Sequence, residues 1–221
     1  MAEVLVLWAV AAAPEPSVAL LGSAERERMD RFRHAEDRDL FLAAHVLARV
    51  AVGTLTGADP SSVDIVQRCD TCGGPHGRPH SLVEGEPGPM VSFSHAGTIV
   101  VAAVSGALPV GVDLEPLDGP RDGVAEVALS ATEQAELATR PPGEHGQLLT
   151  RWWVRKEAVL KARGRGLEED PARVEVTPPW EAPVVVVHPE IQLVDLDLGN
   201  HVGAVATIGT ATMRGPIEHP W

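Results

Sequence analysis

The chain has 221 residues, 44% of them hydrophobic and 22% charged, a composition ordinary for a globular protein that buries a real core in one large domain or two small ones. A net charge of −13 argues against nucleic acid or an anionic membrane as partner, because neither meets an attractive field; an anionic small ligand needs local positive charge instead. Two cysteines are too few for a disulfide framework, and the apolar run Met1–Ala13 is too short to span a bilayer and carries Glu3 where a signal peptide is basic, so a cytoplasmic protein is expected.

In chain order, Glu3 to Ala11 has the Val, Leu and Trp content of a strand and stops at the Pro14-Glu-Pro16 breaker. Two helices follow, a short one around Ala24 to Arg33 and one from about Glu36 to Val52. In the second, Phe41, Ala44, Leu47, Ala48 and Ala51 recur at helical spacing and Gly53 stands near the end. The Gly/Pro-rich stretch Gly73–Pro89 reads as loop. Met90–Glu115 then reads as a β-ribbon: Val91–Phe93, a turn over Ser94–Gly97, Ile99–Val104, a turn over Gly106–Pro109, and Val110–Glu115.

Ser130-Ala-Thr-Glu133 is a capping box that opens a helix, since the hydroxyl and the carboxylate each accept from the other residue's backbone N–H. Leu148 to Arg163 is a longer helix stopped by Gly164. Arg173–Thr177, Pro183–Val187, Ile191–Asp195 and Val202–Ile208 read as strands and the last residues as a tail. The pattern is α+β with strand and helix groups occurring twice, which predicts an N-terminal half, 1–109, and a C-terminal half, 110–221.

The chemistry concentrates in Gly111-Val-Asp-Leu-Glu115. On a strand, residues two apart share a face, so Asp113 and Glu115 project together while Val112 and Leu114 anchor the other face. The ordinary account of such alternation is a solvated edge strand. The flanks Pro109-Val-Gly111 and Pro116 supply no basic partner, however, and paired hard oxygens suit Mg²⁺ or Mn²⁺ better than zinc, with water and substrate phosphate completing the shell. In Trp152-Trp-Val-Arg-Lys-Glu-Ala-Val-Leu-Lys161, helical spacing puts Trp153, Glu157 and Lys161 on one stripe. Taken alone, Glu157 and Lys161 read as an i, i+4 surface pair.

Together, Gly-Val-Asp-Leu-Glu and, about forty residues on, Trp-x-x-Lys-Glu-Ala-x-x-Lys resemble the signature of the 4'-phosphopantetheinyl transferases. The resemblance extends over Arg31-Phe-Arg-His34, Arg49, His76-Gly-Arg-Pro79 and Phe93-Ser-His95. With a length about twice that of the trimeric holo-acyl-carrier-protein synthases, the chain is similar to the monomeric Sfp type. It implies two related α+β halves in a pseudo-two-fold arrangement. It also implies transfer of phosphopantetheine from coenzyme A to a serine of an acyl, polyketide or peptidyl carrier protein, with release of 3',5'-ADP. Whether that carrier serves fatty-acid, polyketide or nonribosomal peptide synthesis stays open.

On this resemblance Asp113, Glu115 and Glu157 bind Mg²⁺, and Glu157 or a water it holds is the base for the serine proton. Lys156 and Lys161 hold phosphates or stabilise the departing oxygen. Ser94 and His95 match a phosphate-contacting Ser-His pair, and Arg78 the basic position of a Gly-Lys-Pro-like segment. Arg38 is the candidate for the 3'-phosphate, although Ala24–Leu40 holds five arginines against six acids and is no basic patch. Val154, where many members have Ser, Thr or Cys, and Pro116 depart from the pattern without removing a metal ligand. A catalytically silent protein that binds coenzyme A or a carrier is the alternative. Cys69-x-x-Cys72 with His76 and His80 offers a zinc reading, but a lone CxxC in a Gly/Pro-rich stretch is a weak signal.

Overall fold

The structure, a computed structural model, describes residues 2–12, 15–68, 73–74, 77–118, 123–164 and 169–221. In chain order the elements are β1 (Ala2–Val10), α1 (Ser23–Met29), α2 (Ala35–Thr56), β2 (Val63–Gln67), β3 (Pro79–Val83), β4 (Glu86–Ala96), β5 (Ile99–Ser105), β6 (Val110–Pro116), α3 (Val124–Ala128), α4 (Ala131–Ala138), α5 (His145–Arg163), β7 (Ile191–Leu198), β8 (His201–Ile208) and β9 (Ala211–Glu218). This α+β chain divides into two compact units, Met1–Leu108 with Thr212–Trp221, and Pro109–Ala211.

The first unit is a six-stranded sheet in the order β2-β3-β4-β5-β1-β9, with α2 packed on it. β1 and β5 pair antiparallel from Val4↔Ser105 to Val10↔Ile99, which buries Val4 to Leu7 completely or nearly so. Ala43, Ala44, Leu47, Ala48, Ala51 and Val52 of α2 are sealed against the strands, and their small side chains let the helix lie close. The helix runs four residues past Val52, where the sequence suggested an end. It passes straight through Gly53, where a Cβ would lie 2.6 Å from the Ala58 carbonyl oxygen, and is capped by Gly57 at φ +80°.

Three sequence expectations are corrected in this unit. The stretch Gly73–Pro89 is not all loop: β3 and the start of β4 lie in it, joined through Glu84 and Gly85, both at positive φ, with a register shift between His80 and Leu82. The turn expected over Ser94–Gly97 is shorter, because β4 pairs with β5 as far as Ala96↔Ile99 and leaves only Gly97 and Thr98 between them. The residues expected as a tail form β9 alongside β1, which assigns Thr212–Trp221 to the first unit and not to the C-terminal half. There the His219 N–H donates to the Trp8 carbonyl at 2.8 Å, and the Trp221 indole N–H to that of Val10. Cys69, Cys72 and His76 lie outside the described residues, and His80 is on β3.

In the second unit α5 lies on β6 and β8 of a three-stranded antiparallel sheet, order β6-β8-β7. Trp152, Val159, Leu160, Leu193 and Ala204 belong to the core between them. The capping box is present, with the Glu133 N–H donating to Ser130 Oγ at 3.3 Å and the Ser130 N–H to Glu133 Oε2 at 2.8 Å. Gly164 ends α5 at φ +71°. Of the strands expected over Arg173–Thr177 and Pro183–Val187 only a single bridge forms, Val176↔Val185, because Pro178 and Pro183 interrupt any longer ladder.

Candidate functional site

The residues of the first motif sit where β6 passes beneath α5. Gly111 is the contact point: a Cβ there would stand 2.1 Å from the Ala158 carbonyl oxygen and 2.3 Å from the Ala162 nitrogen, so only glycine lets the helix backbone come this close. By strand alternation Asp113 and Glu115 share the face of Gly111 and point to the helix. The other face carries Val112 and Leu114, both buried. A second close approach fixes β8, since a Cβ on Gly203 would lie 2.4 Å from the Asp113 carbonyl oxygen.

From the helix come Trp153, Glu157 and Lys161, the stripe read from the sequence. Lys161 Nζ donates to Asp113 Oδ1 at 2.6 Å and to the Val112 carbonyl at 3.2 Å. The indole of Trp153 hydrogen-bonds the Glu115 carboxylate. Glu157 is no surface partner of Lys161: it is 7% exposed, and its Oε1 is buried without a hydrogen-bond partner among the described residues. Burial, then the charge of Asp113, pushes the Glu157 carboxyl up to about 7, with Glu115 adding and Lys161 opposing. Glu115 is raised for the same reasons, burial first and Asp113 next, against the pull of Lys161 and Trp153.

Three carboxylates thus act on one another, and Lys161 acts on all three. Among the described residues no three His, Cys, Asp or Glu side chains are drawn into a ready metal-ligating group. The donor chemistry nonetheless fits a hard divalent ion: oxygen donors only, an excess of negative charge, and a buried carboxylate oxygen with nothing bonded to it.

Lys156, expected on phosphate, is placed elsewhere. Its ammonium is fully buried, 2.5 Å from Glu133 Oε2 and 3.1 Å from the Pro171 carbonyl. Burial pulls its pKa down, and the hydrogen bond and charge of Glu133 pull it back. Helical geometry explains the outcome: Lys161 shares its stripe with Glu157 one turn away, whereas Lys156 points to the face that packs on α4 and the 171 turn. Arg155, which the sequence did not single out, is also buried and structural. It grips both Asp195 oxygens, at 2.9 and 2.7 Å, and the carbonyls of Thr177, Pro178 and Glu181.

In the first unit, Ser94 and His95 lie on β4 opposite Val101 and Val100, Ser94 half-buried and His95 exposed. Being successive strand residues, they face opposite sides of the sheet. Arg78, half-buried just before β3, has its pKa lowered by burial. Arg38 is exposed in the first turn of α2, between Asp37 and Asp39. None of the four lines the open cavity of about 230 Å³ between α1, α2 and β2, whose walls include Glu25, Arg28, Phe41, His45 and Gln67. Arg28 places its guanidinium over the Phe41 ring, 5.4 Å from the centroid, and donates to Gln67 Oε1 at 3.1 Å. The sequence hid it among five arginines that carry no periodic signal. Behind this wall Arg49, fully buried, and His45 bind Glu25 at 2.5 and 2.6 Å.

Residues 109–206 match the 4'-phosphopantetheinyl transferase superfamily, a stretch that falls within the second compact unit. The chain is similar to a 4'-phosphopantetheinyl transferase of Bacillus subtilis, 28% identical over 68% of this chain and 63% of the relative. It is similar also to the 4'-phosphopantetheinyl transferase HetI of Nostoc sp., 29% identical over 86% of this chain and 80% of the relative. With the 4'-phosphopantetheinyl transferase psf-1 of Bacillus pumilus it shares 30% identity over 73% of this chain and 70% of the relative. The alignment thus covers somewhat less than two thirds of the Bacillus subtilis relative and more of the other two. From the two motifs that meet at β6 and α5, and from relatives that align well beyond them, the chain belongs to the 4'-phosphopantetheinyl transferase superfamily.

Proposed function

We propose that this protein transfers the 4'-phosphopantetheine group of coenzyme A to a serine hydroxyl of an acyl, polyketide or peptidyl carrier protein, releasing 3',5'-ADP. The observation that carries the reading is the meeting of β6 and α5, where three carboxylates from two separate motifs act on one another beside Lys161, inside the stretch that matches the superfamily. The names of the relatives support the reaction type.

In this reading Asp113, Glu115 and Glu157 hold a Mg²⁺ or Mn²⁺ ion, which when bound neutralises charge on the pyrophosphate. The protein's own groups orient the acceptor and manage the proton. The serine oxygen attacks the phosphorus that bears the pantetheine arm, the bond from that phosphorus to the bridging oxygen breaks, and its electron pair leaves with 3',5'-ADP. The serine proton passes to Glu157, whose buried Oε1 has acceptor capacity to spare. Lys161 holds phosphate oxygens, a role its partly exposed side chain permits. Lys156, buried on Glu133, is assigned to holding α5 in place instead of to phosphate.

Arg78, Ser94 and His95 are proposed for the phosphates of coenzyme A from the first unit. Arg28, which borders a cavity, replaces Arg38 as the candidate for a further anionic group. The test is incubation with coenzyme A, Mg²⁺ and an apo carrier protein, followed by intact mass. A Mg²⁺-dependent phosphopantetheine mass gain on the carrier serine is expected. No gain across acyl, polyketide and peptidyl carriers overturns transfer in favour of a protein that binds without turnover.

A further inference from the structure

Asp113 is claimed twice at this site, by the ammonium of Lys161 and by the cation proposed above. Lys161 Nζ lies 2.6 Å from Asp113 Oδ1, and its second acceptor is the Val112 carbonyl on the same strand. A divalent ion on that carboxylate would stand beside an ammonium, and two cations at such range repel strongly in a partly buried setting.

One of the two partners can move and the other cannot. The Asp113 side chain is 7% exposed on a strand paired residue by residue with β8, and α5 is pressed against Gly111 with no room to shift as a body. The Lys161 side chain is 29% exposed, lies three residues from the helix end at Gly164, and has a flexible four-carbon stem. We propose that Lys161 is an internal counter-ion that occupies Asp113 in the metal-free protein and is displaced to the solvent side when a divalent ion binds, where it meets the phosphate of the incoming ligand.

This inference rests on the metal site proposed above and adds a property to it. A metal ion arriving alone takes Asp113 from the ammonium, which weakens metal binding. A metal ion arriving with a phosphate ligand gives the ammonium a new partner. Metal and coenzyme A therefore favour each other's binding, and the coupling is reciprocal.

The test is Mn²⁺ titration of the full chain, without carrier protein, read from the paramagnetic resonance signal of free Mn²⁺. Lys161→Met should bind Mn²⁺ alone about tenfold more tightly than the unaltered protein, the scale of one charge-assisted hydrogen bond. Lys161→Gln, neutral but still a donor, should show the same tightening if the Met variant does not fold, and Lys161→Arg should behave as the unaltered protein. Coenzyme A should tighten Mn²⁺ binding in every form through the pyrophosphate itself, and by less in the Met and Gln variants than in the unaltered protein. Both neutral variants binding Mn²⁺ no more tightly than a metal-competent unaltered protein overturns the counter-ion role and leaves the metal site standing. No Mn²⁺ binding by any form, with or without coenzyme A, overturns the metal site and the inference with it.

Discussion

Lys156 and Lys161 lie on one helix, little more than a turn apart, and meet opposite electrostatic surroundings. Lys156 sits in a closed hydrogen-bonded pair: Glu133 takes its charge, the Pro171 carbonyl accepts from a second N–H, Glu133 is itself satisfied by the N–H groups of Ser130 and Val176, and the charges of Glu175 and Asp170 favour the ammonium further. Around Lys161, Asp113 and Glu115 repel the Glu157 carboxyl, which burial and that repulsion push up to about 7. A balanced buried pair contributes architecture, and breaking it leaves a stranded charge. A cluster of mutually repelling carboxylates is kept at a cost to stability, and on the function proposed above a bound cation offsets that cost.

Glu157→Gln separates the two most sharply. It removes one of the surplus charges, so transfer should fall by more than about a hundredfold, as for loss of a ligand that positions the metal, while the melting temperature holds or rises. Rates from intact mass beside a thermal melt would check both halves, and near-normal transfer would break the comparison. Asp113→Ala should lose transfer to a similar degree.

Lys156→Met probes the balanced pair and should behave in the opposite way. Stranding Glu133 should cost about 3–5 kcal/mol in urea unfolding, with metal affinity of the folded fraction unchanged. Glu133→Gln combined with Lys156→Met should recover much of that loss. If instead the single variant kept its stability and lost substrate binding, Lys156 would belong to the site after all.

The first unit holds a second balanced network, and its prediction is one of pH. Burial pushes the Glu25 carboxyl up, but hydrogen bonds from His45 and Arg49 and their charges outweigh it, holding it at about 2 against an ordinary 4.5. His45 is itself lowered by burial against the pull of Glu25, whose Oε1 its Nδ1 meets at 2.6 Å. Because the folded pKa lies below the unfolded one, this contribution is complete above pH 4.5 and disappears as pH falls toward 2. It should amount to about 3 kcal/mol, and Glu25→Gln should flatten the acid limb of a urea-midpoint profile. The smallest expected effect is that of Ser130→Ala, which loses the cap of α4 but leaves Glu133 on Lys156, at about 1 kcal/mol in the same assay.

Much of this site was legible in the sequence because its signals are local. The alternation in Gly111–Glu115 put two carboxylates on one face, and helical spacing put Glu157 and Lys161 on one stripe. What escaped depends on partners far along the chain. Nothing near Asp113 announced Lys161 as its neutraliser, 48 residues away, nor Glu133 as the partner of Lys156, 23 residues away. Gly111 stood in the motif, but its reason, the backbone of α5 passing over it, appears only in three dimensions. The fold shows the same divide. α2, α5 and the capping box follow from periodicity and end signals. β3 and β9 hide behind Pro79, Pro87 and Pro216, residues that lower strand propensity yet are tolerated at strand starts and sheet edges.

The pairing of β9 with β1 also sets an order of events during synthesis. Because strands from residues 2–10 and 211–218 share one sheet, the first unit lacks its edge strand while residues 109–211 emerge from the ribosome. The second unit, contiguous in sequence, has all its strands and α5 available before β9 exists. The segment that carries Asp113 and Glu157 is then able to fold before the sheet of the first unit is complete, and β1 keeps an open edge until residues 211–218 have been made.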